Sequence, residues 1–253
     1  MAAVRGTSDH KGDCCMQERY LGDSHDFIKY ALLRHLHRTT CLRLGVNWYL
    51  TDPKRVDGTG NNHGEKRHHL THPEWKRLDP ELLEKIRAYE APKSRIIKNV
   101  ERDQVLPSDT VYFDDEVPNA INRASWHTSA LKTLSDTDLV FLDPDIGFQV
   151  PSMEEAKSPK YAFYSEAADW LKKGKVCISI QFASHCDPVK RGQTVRDKMH
   201  EVALPGSKLP IIRGRVAPNI LFLALSPDTM AETIERAFAS FTGLCPSKIE
   251  LIH

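Results

Sequence analysis

Apolar residues recur along the chain at two spacings, one helical and one extended. Between Ser24 and Arg38, Phe27, Ile28, Ala31, Leu32 and Leu36 fall at helical spacing with polar residues between them, which predicts an amphipathic helix. Arg43 to Leu50 is a compact run with Val, Trp and Tyr, closed by Thr51, Asp52 and Pro53, and reads as a buried strand. A long polar loop follows, from Thr51 to His72. Pro80 to Tyr89 and Lys93 to Asp103 read as helical, Asp109 to Phe113 as a strand, Ser125 to Leu134 as a helix and Leu139 to Leu142 as a strand. A helix over Ser165 to Lys173 stops at Gly174, and the strand Val176 to Phe182 comes next. Val189 to Val202 is a charged helix. Leu209 to Val216 and Asn219 to Ser226 form a hairpin, Met230 to Phe241 a helix, and Lys248 to Ile252 a last edge strand.

Strands that alternate with helices predict an α/β fold of three layers, with a mostly parallel sheet between helices and a C-terminal antiparallel hairpin. The expected division is a polar lead-in over residues 1–20 and one α/β domain over 21–253. Apolar residues make up 40% of the 253 and charged residues 27%, ordinary values for a water-soluble fold. The apolar runs are far too short to span a bilayer. The N-terminal stretch lacks the apolar segment of a secretion signal, so the expectation is a cytoplasmic protein with no membrane association. The six cysteines show no C-x-x-C spacing and read as reduced thiols. A net charge of +1 demands no polyanionic partner, although local basic patches can still bind one.

Chemistry concentrates where strands end. Asp52, Asp114, Asp115, Asp143 and Gln181 all fall just beyond or at the carboxyl ends of predicted strands, where open α/β sheets bind their ligands. The most loaded of these stretches is L-D-P-D-I-G, Leu142 to Gly147, which also has the residues of a tight turn. One reading gathers Asp52, Asp114, Asp115, Asp143 and Asp145 around Mg²⁺ for phosphodiester hydrolysis, with Lys157, Lys160 and His185 steadying a phosphate. The histidines 63, 68, 69 and 72 lack the partners of a known zinc pattern, and no metal site is expected there. Lys54, Arg55, Lys66 and Arg67 surround Trp75, a combination able to follow a phosphate backbone and stack on a base. Lys190, Arg191, Arg196 and Lys198 extend a basic rim. Nucleic-acid contacts are therefore expected at Lys66, Arg67, Trp75, Lys160, His185 and Arg191, with a solvated surface as the alternative.

Two stretches carry a resemblance. G-D-S-H-D-F-I-K-Y, Gly22 to Tyr30, resembles the N-terminal helix motif of the S-adenosylmethionine-dependent adenine methyltransferases of large-subunit ribosomal RNA, and L-D-P-D-I-G resembles their D-P-P-Y motif. The same pairing is similar to that in three-Cys-motif partner proteins and, most nearly, to an uncharacterised bacterial group with G-D-x-x-D-x-x-K-Y and D-P-D-N-G. The resemblance implies a Rossmann-like class I methyltransferase fold and methyl transfer from S-adenosylmethionine to an amine of a nucleic acid or related substrate. It implies that Lys29, in the D-x-x-K spacing with Asp26, helps hold the cofactor's carboxylate, with His25, Asp52 and Asp114 also on the cofactor. Asp143 would orient the acceptor amine, with Pro144 and Asp145 beside it. Asp145 stands where the family has a second proline and Ile146 where it has an aromatic residue, and the loop after the first strand lacks the family's clustered glycines. A metal-dependent nuclease and a non-catalytic nucleic-acid or partner-binding module remain the alternatives.

Overall fold

The computed structural model describes residues 18, 20–52, 56, 66–204 and 206–253. Pro53, Lys54, Arg55 and His63, named above, lie outside the described residues, as do two of the six cysteines, Cys14 and Cys15. The fold is mixed α/β. Its eight-stranded sheet holds β1 (Leu44–Asn47), β2 (Val111–Phe113), β3 (Leu139–Leu142), β6 (Val176–Ala183), β7 (Ser207–Lys208), β8 (Ile211–Gly214), β9 (Asn219–Ser226) and β10 (Ile249–Ile252), while β4 (Gly147–Phe148) and β5 (Tyr161–Ala162) form a separate parallel pair. The order is β10-β8-β9-β6-β3-β1-β2, with β7 also on β9.

The strands β2, β1, β3 and β6 run parallel, so Asn47, Leu142 and Ala183 end at one edge of the sheet. The β8–β9 hairpin is antiparallel as expected, but its second strand is the one that joins β6. The apolar run Ile220 to Leu225 explains this: it has no polar alternate positions and is buried throughout, which suits an interior strand covered on both faces. β10 then pairs antiparallel with β8 at the outer edge.

Alternate residues of the sheet feed two cores. Leu139 and Phe141 of β3 belong to one, with α1 (Ser24–Thr40) and α8 (Asp228–Leu244). Val140 and Leu142 belong to the other, with α5 (Ala120–Thr133), α6 (Tyr164–Lys172) and α7 (Pro188–Ala203). Between β1 and β2, short helices α2 (His68–Thr71), α3 (Pro80–Ile86) and α4 (Lys98–Arg102), with intervening 3-10 turns, add Trp75, Leu78, Leu82, Ile86, Tyr89 and Val100 to the first core.

That cap changes the character of α1. Its polar positions were expected to face water, yet every residue from Ser24 to Leu36 is buried. Buried charge needs partners. Arg34 donates to Asp79 at 2.8 Å, to Glu81 at 2.9 Å and to the Val105 carbonyl at 3.1 Å, and Asp79 also caps α3 through the Leu82 amide at 2.9 Å. Among the described residues no helix is long and apolar enough to cross a membrane.

Candidate functional site

The first turn of α1 lies over the edge where β1, β3 and β6 end. Asp23 caps the helix, its carboxylate accepting from the amides of His25 at 2.8 Å and Asp26 at 3.0 Å. Asp26, three residues on, accepts from the Gly22 amide at 3.0 Å. One turn further, the ammonium of Lys29 reaches Asp26 at 3.1 Å and Asp143 at 2.8 Å. Asp143 directly follows β3, and its amide donates to the Asn47 carbonyl at 3.0 Å, so the sheet itself sets its position.

The electrostatics follow from burial and sign. Burial pushes the Asp143 carboxyl up to about 6 against the pull of Lys29, with Asp26 and Asp145 adding to the rise. Burial likewise raises Asp26. Burial disfavours the Lys29 ammonium, but Asp143 and Asp26 outweigh it and hold the pKa above the ordinary lysine value. Burial works to raise Asp23 as well, yet the hydrogen bond and charge of His25 leave it below the ordinary value. The His25 ring spans Asp23, at 3.3 Å from Nδ1, and the Pro218 carbonyl, at 2.9 Å from Nε2, so it ties α1 to the β8–β9 turn.

The D-P-D-I-G loop is held from beneath by Gln181, a buried side chain of β6. Its amide oxygen accepts from Phe148 N at 3.0 Å, and its nitrogen donates to the carbonyls of Phe182 at 2.8 Å and Ile146 at 3.3 Å. Gly147 crosses this side chain at φ +130°, where a Cβ would stand 2.5 Å from the Gln181 oxygen. Only glycine fits such a crossing. Asp145 accepts from the Thr51 hydroxyl at 3.0 Å and lies 4.0 Å from the Lys160 ammonium.

These groups open on a cleft of about 620 Å³, within the range of small-molecule sites. The D-P-D-I segment lies at its centre, since β3 sits between β1 and β6 in the sheet. Tyr30 and Trp48 line it, and beyond β3 so do Phe182, Ser184, His185 and Pro218.

Of the expected site residues, the cleft gathers His25, Lys29, Lys66, Asp143, Pro144, Asp145, Lys160 and His185. The others are elsewhere. Asp52 is half-buried and outside the cleft lining. Asp114 is exposed, 3.9 Å from Lys98, in a separate shallow depression beside β2, because the edge strand turns it away. Trp75 is core: it meets Phe27 edge-on at 6.2 Å and is capped by Lys248, so it has no face for a base. Arg67 donates to the carbonyls of Gly22 at 2.9 Å and Leu21 at 3.1 Å, fixing the turn before α1. Arg191 lies on α7, off the cleft.

Among the described residues no three His, Cys, Asp or Glu side chains are placed to hold a metal ion. The five strand-end aspartates are therefore not gathered: Asp143 and Asp145 line the cleft and Asp52, Asp114 and Asp115 do not. His69 is buried under α1, bonded to Ser24 at 3.0 Å and stacked on Phe27. Of the described cysteines, Cys177 and Cys245 are buried and Cys41 and Cys186 exposed, all as free thiols.

Sequence reasoning missed Tyr30, Trp48, Phe182 and Pro218. Phe182 was available as the end of an apolar strand at the working edge. Pro218 was not, because its place depends on which hairpin strand joins β6. In comparisons with known proteins, no family model and no curated protein sequence matches the chain.

Proposed function

We propose that the chain is a methyltransferase of Rossmann-like α/β architecture that moves a methyl group from S-adenosylmethionine to an amine of a nucleic acid or a related molecule. One observation carries the reading: the two stretches with the methyltransferase resemblance, 22–30 and 142–147, meet in one cleft with Lys29 on Asp143 at 2.8 Å. The parallel half, the antiparallel hairpin and helices on both faces support the architecture.

The donor set suits the cofactor. Carboxylates at Asp26, Asp143 and Asp145 match its cationic sulfonium and ammonium, and the rings of Tyr30 and Trp48 match its adenine. When bound, S-adenosylmethionine supplies an electrophilic methyl group on sulfur. The protein supplies position and charge. Asp143 accepts a hydrogen bond from the acceptor amine, aims its lone pair and offers a place for the proton. Lys29 is the counter-ion that keeps Asp143 ionised at neutral pH, a role that replaces the direct hold on cofactor implied by the motif alone. Asp52 and Asp114, outside the cleft, take no part.

The test is calorimetric titration with S-adenosylmethionine, with S-adenosylhomocysteine as competitor. Saturable binding at one site is expected, and no heat of binding at millimolar ligand overturns the proposal.

A further inference from the structure

We infer that the acceptor is a free, amine-bearing nucleotide and not a nucleic-acid strand; this rests on the methyl-transfer reading above. The first ground is the basic surface. Of the six side chains expected to contact nucleic acid, Trp75 is core, Arg67 is engaged by two backbone carbonyls and Arg191 is off the cleft. Lys66, Lys160 and His185 line the cleft. Among the described residues, that is cationic equipment for one phosphate group. Tracking a strand takes a row of cations along a groove.

The second ground is the depth of the reacting carboxylate. Asp143 is buried, and the His25 to Pro218 bond at 2.9 Å ties α1 to the β8–β9 turn on the side of the cleft beyond β3. A base from a strand must be extruded to reach that depth, and its flanking nucleotides then need a surface beside the cleft, whereas a mononucleotide enters whole.

The third ground is what replaces the family's stacking residue. Ile146 offers no flat face, but Phe182, half-buried on the far flank and edge-on to His25 at 5.1 Å, lines the cleft with an aromatic ring. A nucleobase held against Phe182 has its exocyclic amine available to the adjacent Asp143 and Asp145, and its phosphate available to the nearly buried Lys160. In the transfer the amine nitrogen forms the new C–N bond as the methyl–sulfur bond breaks, leaving that electron pair on sulfur. The proton lost from nitrogen goes to Asp143.

The experiment uses the full chain in two stages. S-adenosylmethionine binding is measured first, so failure of the underlying reading is seen by itself and takes this inference with it. With S-adenosylhomocysteine present, AMP, CMP, adenosine, cytidine and a mixed-sequence 12-mer RNA with unphosphorylated ends are then titrated. AMP or CMP is expected to bind at least about 10-fold tighter than its nucleoside, the range of a charged hydrogen bond, and the 12-mer no tighter than the mononucleotide. Lys160→Met should remove that preference, and Lys66→Ala, at an exposed position, should reduce it without touching the core. A 12-mer that binds tighter than either mononucleotide, with a salt slope above about two, overturns the inference. So does cofactor binding with no affinity for AMP or CMP, or a phosphate preference unchanged in both variants.

Discussion

Replacing Lys29 by Met removes one positive charge from a site where two buried carboxylates depend on it. Lys29 contacts Asp143 at 2.8 Å and Asp26 at 3.1 Å, and all three side chains are buried. Met keeps the apolar stem, so the change is mainly electrostatic. Breaking a buried ion pair by deleting one partner costs about 3–5 kcal/mol. For a chain of this length that is a fall in Tm of about 6–20 °C. The pH dependence gives the argument its sign. A carboxyl whose folded pKa is raised, here about 6 against the ordinary 3.8, contributes stability that is present below the ordinary value and lost as pH rises through the folded value. Without Lys29 the pull downward is gone, so the folded pKa of Asp143 climbs further and that of Asp26 climbs with it. The variant must then take up protons to stay folded at neutral pH. Its deficit against the wild type should be small near pH 5 and grow toward pH 8. Urea unfolding of both proteins at pH 5, 6, 7 and 8 measures this, and adding Asp26→Asn to the variant should recover part of the loss at pH 8. A deficit below about 1 kcal/mol at pH 7, or one that is flat with pH, refutes the buried-counter-ion account.

Asp143→Asn keeps the shape of the side chain but removes the charged acceptor, and methyl transfer should fall by about 10²-fold with cofactor affinity little changed, as read by label incorporation and calorimetry. In the wild type the same carboxyl should make turnover decline as pH falls through about 6, seen in a pH–rate profile. Gly147→Ala places a methyl group against the pinned Gln181 amide and forces an alanine to φ +130°, so thermal unfolding should show a loss of about 2–4 kcal/mol. Burial holds the His69 ring pKa down at about 4, so its NMR resonances should not titrate above pH 5.

What the sequence made legible were features that are local or set by strand direction. The helix 24–38, the strands on either side of Asp143 and the hairpin follow from spacing. The place of Asp143 follows from knowing which ends of parallel strands share an edge, whereas His25 and Lys29 join it from α1 and Lys160 from the 3-10 turn before β5, which strand direction does not give. Burial of charge was not legible. Asp23, Asp26, Lys29 and Arg34 alternate with apolar residues as a solvated face would, and the partners that make their burial affordable, Asp143 and Asp79, are remote in sequence. Trp75 misled for the reverse reason: its basic neighbours suggested surface, while a 3-10 turn directs the ring into the core. Asp114 follows the outermost strand of the sheet, and so falls outside the crevice that forms over β1, β3 and β6.

The hold that Gln181 has on the loop below Asp143 bears on how ligands are chosen. The loop's amides and carbonyls are bonded to a side chain rooted in the middle of the sheet. The loop therefore cannot shift without disturbing β6, which is among the last elements to open in a protein of this kind. Asp143 is thus preset during folding, and under the proposed function its ordering entropy is not charged against binding. On the proposed function, a molecule that does not fit this fixed floor is rejected without any compensating rearrangement, and selectivity beside Asp143 comes from rigid shape. Hydrogen exchange at the Ile146 and Phe148 amides, slow and unchanged when ligand is added, is the signature such a floor leaves.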